Sequence, residues 1–476
     1  MLRITGYSDK YSVHPEEKVK FYINSESNEN YDVQIVRLIH GDTNPEGPGY
    51  KEEELGASCN GNYEGRNQRI HGGSYVIIPQ DDRMNLESFT LQAYIFPTTP
   101  DKGKQGILTK WNETNSSGYG LFVDDDGCLC LMIGDGDGQV FKISSEKKLM
   151  RKVWYLIAAS FDAETGKVIL YQEPTVTPTN GGLGMSLLHP ADETSATVES
   201  SNNLKPGKND SPLLMAASTV VDRSGRHITG GHYKEALTPV ELPEQGFVYN
   251  GKIDRPRLSN KALSKDEIKN LASGYGGCTS GLRSKVVGAW DFHANITKNI
   301  ASTFIVDMSP SHLNGFIVNL PCRGMTGYNW TADEIVYHHK PEEYGAIHFH
   351  DDDIDDARWE VDFVYDVPDK IRSGFYAARL RINGDDSPET EDFVPFVIKP
   401  PKGKATSKLA LIVPTNSYMA YSNDNLGTNS VVAQLLAGKV PVLAAPDLYL
   451  NEHREYGLST YSLHSDGSGV CYSSRL

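Results

Sequence analysis

From about residue 70 to 330, short runs with apolar residues at every second position alternate with tight-turn residues, which confines more than half of the chain to sheet packing. In residues 88–96, Phe89, Leu91, Ala93 and Ile95 share one face, because successive side chains of a strand point to opposite sides. Residues 154–172 read as two strands joined by a turn at Thr165-Gly166-Lys167. The composition agrees: Gly 44, Pro 25 and Tyr 25 favour turns and strands over long helices. A chain of 476 residues also exceeds what one core supports, which predicts roughly two to four domains.

The same alternation divides the chain. It appears around Val19, Phe21 and Ile23, again in residues 31–36, and returns at Trp359, Val361, Phe363 and Tyr365, with a further strand at 374–380. Residues 1–45 plus 335–402 are therefore expected to form one immunoglobulin-like β-sandwich, with residues 46–334 inserted as a second. Residues 173–245, rich in Pro, Gly, Ser and Asn, read as a long surface excursion. One helix is well marked: Ser264 and Glu267 form a capping box, Leu263 and Ile268 a hydrophobic staple, and Gly274 can end it. It follows a strand at 247–254, and the pair resembles the closing strand and helix of laminin-G/concanavalin-like sandwiches. Trp290-Asp291 reads as the opening of another strand there.

After a Pro-Pro-Lys-Gly-Lys linker at 400–404 the character changes. Residues 409–413 are continuously apolar, as in a strand buried on both faces of a parallel sheet. Residues 431–437 read as a short helix and 440–444 as a second buried strand. The fold class expected is thus mostly β: immunoglobulin-like and laminin-G/concanavalin-like sandwiches, then residues 403–476 as the start of an α/β domain of flavodoxin/amidotransferase type. A doubly wound domain takes over ~100 residues, so that domain is expected to be truncated.

Composition excludes several classes. A net charge of −16 without a Lys/Arg-rich run argues against nucleic acid or an anionic membrane as partner. No stretch approaches ~18 consecutive apolar residues, so no membrane span is expected. Met1-Leu2-Arg3 runs straight into strand-like sequence without a signal-peptide apolar region, and a cytoplasmic location is expected. Cys59, Cys128, Cys130, Cys278, Cys322 and Cys471 are sparse and read as free thiols.

The candidate site residues follow the apolar run. In open α/β sheets ligands bind beyond the carboxyl ends of strands, and 409–413 leads directly into 414–423, with a second polar cluster at 458–469. Taken alone, their tyrosines read as packing and hydrogen-bonding groups. The segments GYSDKYSVHPEEKVKFYI (6–23), VRLIHGDTNPEGPG (36–49), YGAIHFHDDDIDDARWE (344–360), PTNSYMAYSN (414–423) and EYGLSTYSLHSDGSGVCYSSRL (455–476) resemble the N,N-dimethylformamidase large (beta) subunit family across essentially the whole chain. The last two segments correspond to that family's catalytic domain.

The resemblance implies a mononuclear ferric iron held by two tyrosinates and a glutamate, hydrolysing N,N-dimethylformamide or related N-alkylformamides to formate and amine. It places the tyrosinates at Tyr421, with Tyr418 as rival, and at Tyr461. The glutamate belongs to a His-x-Glu motif further downstream, beyond residue 476. It also implies a small-subunit partner, a homo-oligomer of large subunits and a small formamide as substrate. Fe3+ is a hard cation that prefers anionic oxygen and deprotonates phenols. His464 is a candidate for proton transfer or, preferably, a hydrogen bond behind the ligands. With two of three ligands the chain alone is expected to bind iron weakly and to be inactive.

Other signals are weaker. His348-Phe-His350-Asp351-Asp352-Asp353, with His338-His339 upstream, has the residue types for zinc or calcium, but polar structure between domains is the preferred reading. Asp135-Gly-Asp137-Gly-Gln139 reads as a turn rather than a calcium loop, because Val140 stands where such a loop requires glycine. Gly469-Val-Cys471-Tyr-Ser473 lacks the second glycine of a nucleophile elbow, and His464, Asp466 and Ser468 are too close in sequence for a triad. Trp111, Tyr119 and Trp154 suit a sugar site, but core packing is preferred. The competing function is a non-catalytic carbohydrate- or protein-binding β-sandwich protein.

Overall fold

The structure, a computed structural model, describes residues 3–42, 44–175, 177, 194–199, 204–274, 281–387, 389–424 and 445–473. They fall into two compact units, one comprising Met1–His71, Asp356–Ser462 and Tyr472–Leu476, the other Gly72–Asp355 and Leu463–Cys471. The fold is mostly β.

In the first unit, Ile4–Ser8, Lys18–Ser25 and Phe363–Asp366 form one sheet. Ser12–Val13, Glu391–Ile398, Gly374–Ile382, Tyr31–His40 and Lys51–Glu54 form another. The alternation seen in the sequence is the inward face: Val19, Phe21 and Ile23 meet Phe363, Tyr365, Ile35, Leu380 and Phe396 in one core. Ile35 lies opposite Ala378, so segments far apart in sequence share a sheet. The borders differ from those expected. Lys51–Glu54 and Gly61–Tyr63 both pair with Tyr31–His40, which keeps the chain in this unit past residue 45. Ala346–Phe349 pairs with Gly251–Ser259 of the second unit, so the return comes at 356 rather than 335. Trp359 and Val361 precede the strand, which starts at Phe363.

The second unit is built on a ten-stranded and an eight-stranded sheet among the described residues. Phe89–Pro97 is buried along its whole length. Phe89, Leu91, Ala93 and Ile95 face the core between the sheets, while Tyr94 and Phe96 share a second cluster with Leu263 and with Ile268 and Leu271 of the helix Lys265–Ser273. The expected capping box is present, with Ser264 Oγ accepting from the Glu267 amide and the Glu267 carboxylate accepting from the Ser264 amide. Trp111, Tyr119 and Trp154 are core residues. Asp135 Oδ1 accepts the amides of Asp137 and Gln139 in the turn that joins Cys128–Asp135 to Val140–Lys148.

Two stretches of this unit differ from expectation. The 173–245 stretch does not stay on the surface, because Leu213–Met215 is apolar and fully buried between Gln105–Asn112 and Tyr75–Ile78. Trp290 follows a strand, Val286–Ala289, instead of opening one, and beside it Asp291 forms a buried ion pair with Arg257.

The α/β expectation fares differently. Residues 409–413 form no strand, and Leu409, Leu411 and Ile412 are 89%, 76% and 88% exposed. A strand of a parallel sheet owes its burial to neighbouring strands and to helices on both faces, and among the described residues nothing pairs with this run. The described residues of 403–473 hold the helices Thr415–Ala420 and Ala445–Glu452 and no strand. The expected helix at 431–437 and strand at 440–444 lie outside the described residues. No helix among the described residues is long and apolar enough to cross a membrane.

Candidate functional site

In the first unit the two segments singled out for their tyrosines come together. Tyr421 ends the helix Thr415–Ala420, its amide donating to Ser417 O at 3.1 Å. The Thr460 amide and hydroxyl both donate to Ala420 O, at 3.1 and 3.0 Å, which fixes Tyr461 beside Tyr421. The rings stack with centroids 4.5 Å apart and planes 11° from parallel. Tyr421, not Tyr418, forms this stack. Both rings are about half exposed, and a hydrogen bond to the Tyr461 hydroxyl raises the Tyr421 phenol above its ordinary value.

The same unit holds a feature that the sequence did not signal. A cavity of about 210 Å3 is lined by Tyr7, Trp359, Asp392, Asn423, Tyr449 and Tyr456 among others. Burial pushes the Asp392 carboxyl up to about 7, although the amides of Phe393 and Gly6 donate to it. Alternation along Glu391–Ile398 marks Asp392 only as a polar position, which is why sequence reasoning passed over it.

The second unit carries a cluster of histidines and aspartates. His348 lies on the strand Ala346–Phe349, and His350 just past its end. The segment Leu463–Cys471 packs on them, closed on itself by a bridge between Leu463 and Gly469. His348 Nε2 donates to Asp466 Oδ2 at 2.9 Å, and Ser468 donates to Asp466 Oδ1 through both its amide and its hydroxyl. Burial lowers the His348 imidazole to about 4, so it is neutral at pH 7. Asp466 is buried too, yet the hydrogen bonds from His348 and Ser468 hold it well below the usual carboxylate range. His350 and His464 stack at 3.7 Å with planes 6° apart.

His464 thus makes its polar contacts within this cluster of the second unit. Its Nδ1 lies 2.6 Å from Asp352 Oδ1 and its Nε2 3.7 Å from Asp353 Oδ1. Asp353, His348 and His350 belong to the stretch for which the sequence reading preferred polar structure over a metal. The sequence signal was the residue types at 348–353, but the aspartate and histidine that complete the cluster come from more than 100 residues later. Cys471 ends the same segment. A hydrogen bond from the Cys322 thiol holds its thiol down at about 6, favouring the thiolate, but it sits on irregular chain, not at a strand-to-helix turn.

Comparison with known proteins bears on both regions. Residues 322–476 match the family described as N,N-dimethylformamidase beta subunit-like, C-terminal. Residues 71–192 match the concanavalin A-like lectin/glucanases superfamily. The chain is 36% identical over 479 residues to the N,N-dimethylformamidase beta subunit of Paracoccus aminophilus, a match covering 99% of this chain and 59% of that protein. It is 37% identical over 486 residues to the N,N-dimethylformamidase beta subunit of an Alcaligenes species, with the same coverage. The chain therefore spans 59% of the length of these relatives. Among solved structures, the CBM40 of the Ruminococcus gnavus IT-sialidase aligns at a TM-score of 0.30 and 14% identity, over 44% of this chain and 96% of that one. That likeness is too slight to bear on function.

Proposed function

Because this chain belongs to the N,N-dimethylformamidase beta-subunit family, we propose that it is part of the large subunit of an amidohydrolase that cleaves N,N-dimethylformamide or a related N-alkylformamide. The observation that carries the proposal is the stacked pair Tyr421 and Tyr461, brought side by side from segments 40 residues apart. Their residue type fits a ferric ion: phenol oxygens are hard donors, and a highly charged cation favours the phenolate. The shared hydrogen bond that raises the Tyr421 phenol is the contact such a cation would replace. The resemblance implies a glutamate as third ligand, and residues 462–476 contain no His-x-Glu.

Ferric iron held there would supply Lewis acidity toward the amide carbonyl and acidify water. In the overall reaction a water oxygen bonds to the formyl carbon, the C–N bond breaks, and a proton passes to nitrogen, giving formate and a secondary amine. Tyr421 and Tyr461 are the binding residues. His464 is given no part in this reaction, because its two nitrogens already face Asp352 and Asp353. A small subunit and further copies of the large subunit are the proposed partners.

The test is iron content and formamide hydrolysis of the full-length protein with its small subunit, wild type beside Tyr421→Phe and Tyr461→Phe. Stoichiometric iron and hydrolysis, both sharply reduced in either variant, are expected. Wild type that carries no iron and takes none up overturns the proposal. Cys471→Ala leaves hydrolysis intact under this reading. The competing function, a binding protein without catalysis, has one observation in its favour: a groove of about 980 Å3 in the second unit, lined by Asn112, Asp210, Asp222 and Arg223 among others. It requires the tyrosine variants to be without effect.

A further inference from the structure

We propose that His350, Asp353 and His464 form a second metal site, independent of the tyrosine pair, which takes a zinc-class divalent cation and fastens the segment Leu463–Cys471 to the end of the strand Ala346–Phe349.

Ser468 gives its hydroxyl proton to Asp466 Oδ1 at 2.5 Å. At its contact with His350 Nε2, 2.9 Å away, the serine oxygen therefore accepts, which puts a proton on His350 Nε2, so that in the neutral ring Nδ1 carries the lone pair. That Nδ1 lies 3.1 Å from Asp353 Oδ2. On the other side, His464 Nδ1 lies 2.6 Å from Asp352 Oδ1, which places its proton on Nδ1 and its lone pair on Nε2. His464 Nε2 is buried, has no hydrogen-bond partner among the described residues, and faces Asp353 Oδ1 at 3.7 Å.

Two imidazole lone pairs and a carboxylate are thus turned toward one another in a site where all three residues are at least nine-tenths buried. Their ligand atoms lie within 4.8 Å of one another. Lone pairs that converge without a cation repel, and burial makes the repulsion costly. Protonating His350 alone satisfies its contact with Asp353 but leaves the buried His464 Nε2 without a partner, and protonating both rings sets two imidazolium charges face to face at 3.7 Å, where they oppose each other. A metal ion meets all three groups at once.

The surroundings have the form that metal sites use. Each histidine donates its other N–H to an oxygen, Asp352 for His464 and Ser468 for His350, an arrangement that fixes tautomer and ring orientation. Asp353 is held as well, by the Ser74 hydroxyl at 2.6 Å. Two imidazole nitrogens and one carboxylate are borderline donors of the kind that zinc takes, with a position left open for water. Coordination requires the two rings to tilt out of their present stack.

The test strips the purified protein with a chelator and titrates it with Zn2+ alone, reading bound zinc per chain and melting temperature. Wild type is expected to take up zinc stoichiometrically and to melt higher with it. Asp353→Asn and His464→Gln are expected to bind at least about 100-fold more weakly and to lose that rise. Asp352→Asn leaves all three donors in place and replaces the carboxylate that orients His464 and accepts the Ser465 amide by a neutral amide, so about 10-fold weaker binding is expected. That variant keeps the test decisive if a ligand variant fails to fold. Tyr421→Phe combined with Tyr461→Phe should leave zinc uptake unchanged while iron, measured on the full-length protein before stripping, is lost, so the two metal readings fail separately. Stripped wild type that takes up no zinc, or undiminished binding by Asp353→Asn and His464→Gln, overturns the proposal, and a proton then occupies the site.

Discussion

Asp466 in the second unit and Asp392 in the first are both carboxylates enclosed by protein, and they end in opposite states. Asp466 meets His348 and Ser468 as donors and stays ionised well below the usual range. Asp392 receives only the amides of Phe393 and Gly6, and burial lifts it to about 7. Desolvation disfavours both charges, and the number and kind of donors decide which one survives. Tyr421 and Tyr461 are a third case. They are half exposed, so little burial acts on them and each is the other's main partner. The histidine–aspartate cluster is therefore a preorganised structure of the sandwich, whereas the tyrosine pair contributes little to folding and is available for a ligand.

The contrast breaks first at Asp466. Asp466→Ala leaves the His348 N–H and the Ser468 hydroxyl buried without their acceptor, and a loss of about 3–5 kcal/mol in urea unfolding is expected. Asp466→Asn retains an acceptor and should lose about half of that. A negligible loss for the alanine variant would mean that the cluster is not preorganised.

Asp392 gives the next largest effect and the opposite sign with pH. Its folded value of about 7 lies above the ordinary 3.8, so the folded protein binds a proton that the unfolded chain releases. The resulting stability is fully present below about pH 4 and is lost as pH rises through about 7. Asp392→Asn removes this dependence. The variant should match wild type near pH 4 and exceed it by about 2–4 kcal/mol at pH 8, the lower figure allowing for solvent in the cavity. Equal pH profiles would place Asp392 in ordinary solvent and remove the contrast with Asp466.

How much of this was legible depends on whether the cause is local. The capping box at Ser264 and Glu267 was legible because both partners lie within one helical turn, and Ser264→Ala should cost about 1 kcal/mol in thermal unfolding. The inward face of Val19, Phe21 and Ile23 was legible because the period of a strand is a local property. Residues 409–413 show the limit of that reasoning. An apolar run states what can be buried, not what covers it, and here Leu409 and Ile412 are exposed. The histidine–aspartate cluster shows the limit from the other side. His348, His350 and Asp353 were visible as metal-capable types, but their weight depends on Asp466 and His464, which pairing across more than 100 residues brings in. Tyr421 and Tyr461 came from resemblance, since nothing in their spacing distinguishes them from tyrosines that merely pack.

The smallest effect sharpens the comparison most. Tyr461→Phe removes one exposed hydroxyl, and a stability change under about 0.5 kcal/mol is expected. The same substitution should lower the Tyr421 phenol toward its ordinary range, because the Tyr461 hydroxyl is the main cause of its elevation. An ultraviolet tyrosine titration of metal-free wild type against the variant reads this directly. A lowered phenol with unchanged stability means that the pair interacts through its hydroxyls and that the fold does not depend on it, as a ligand-binding pair requires. An unchanged phenol means that the stack is a packing contact between rings, and the hydroxyls then have no shared position from which to hold a cation.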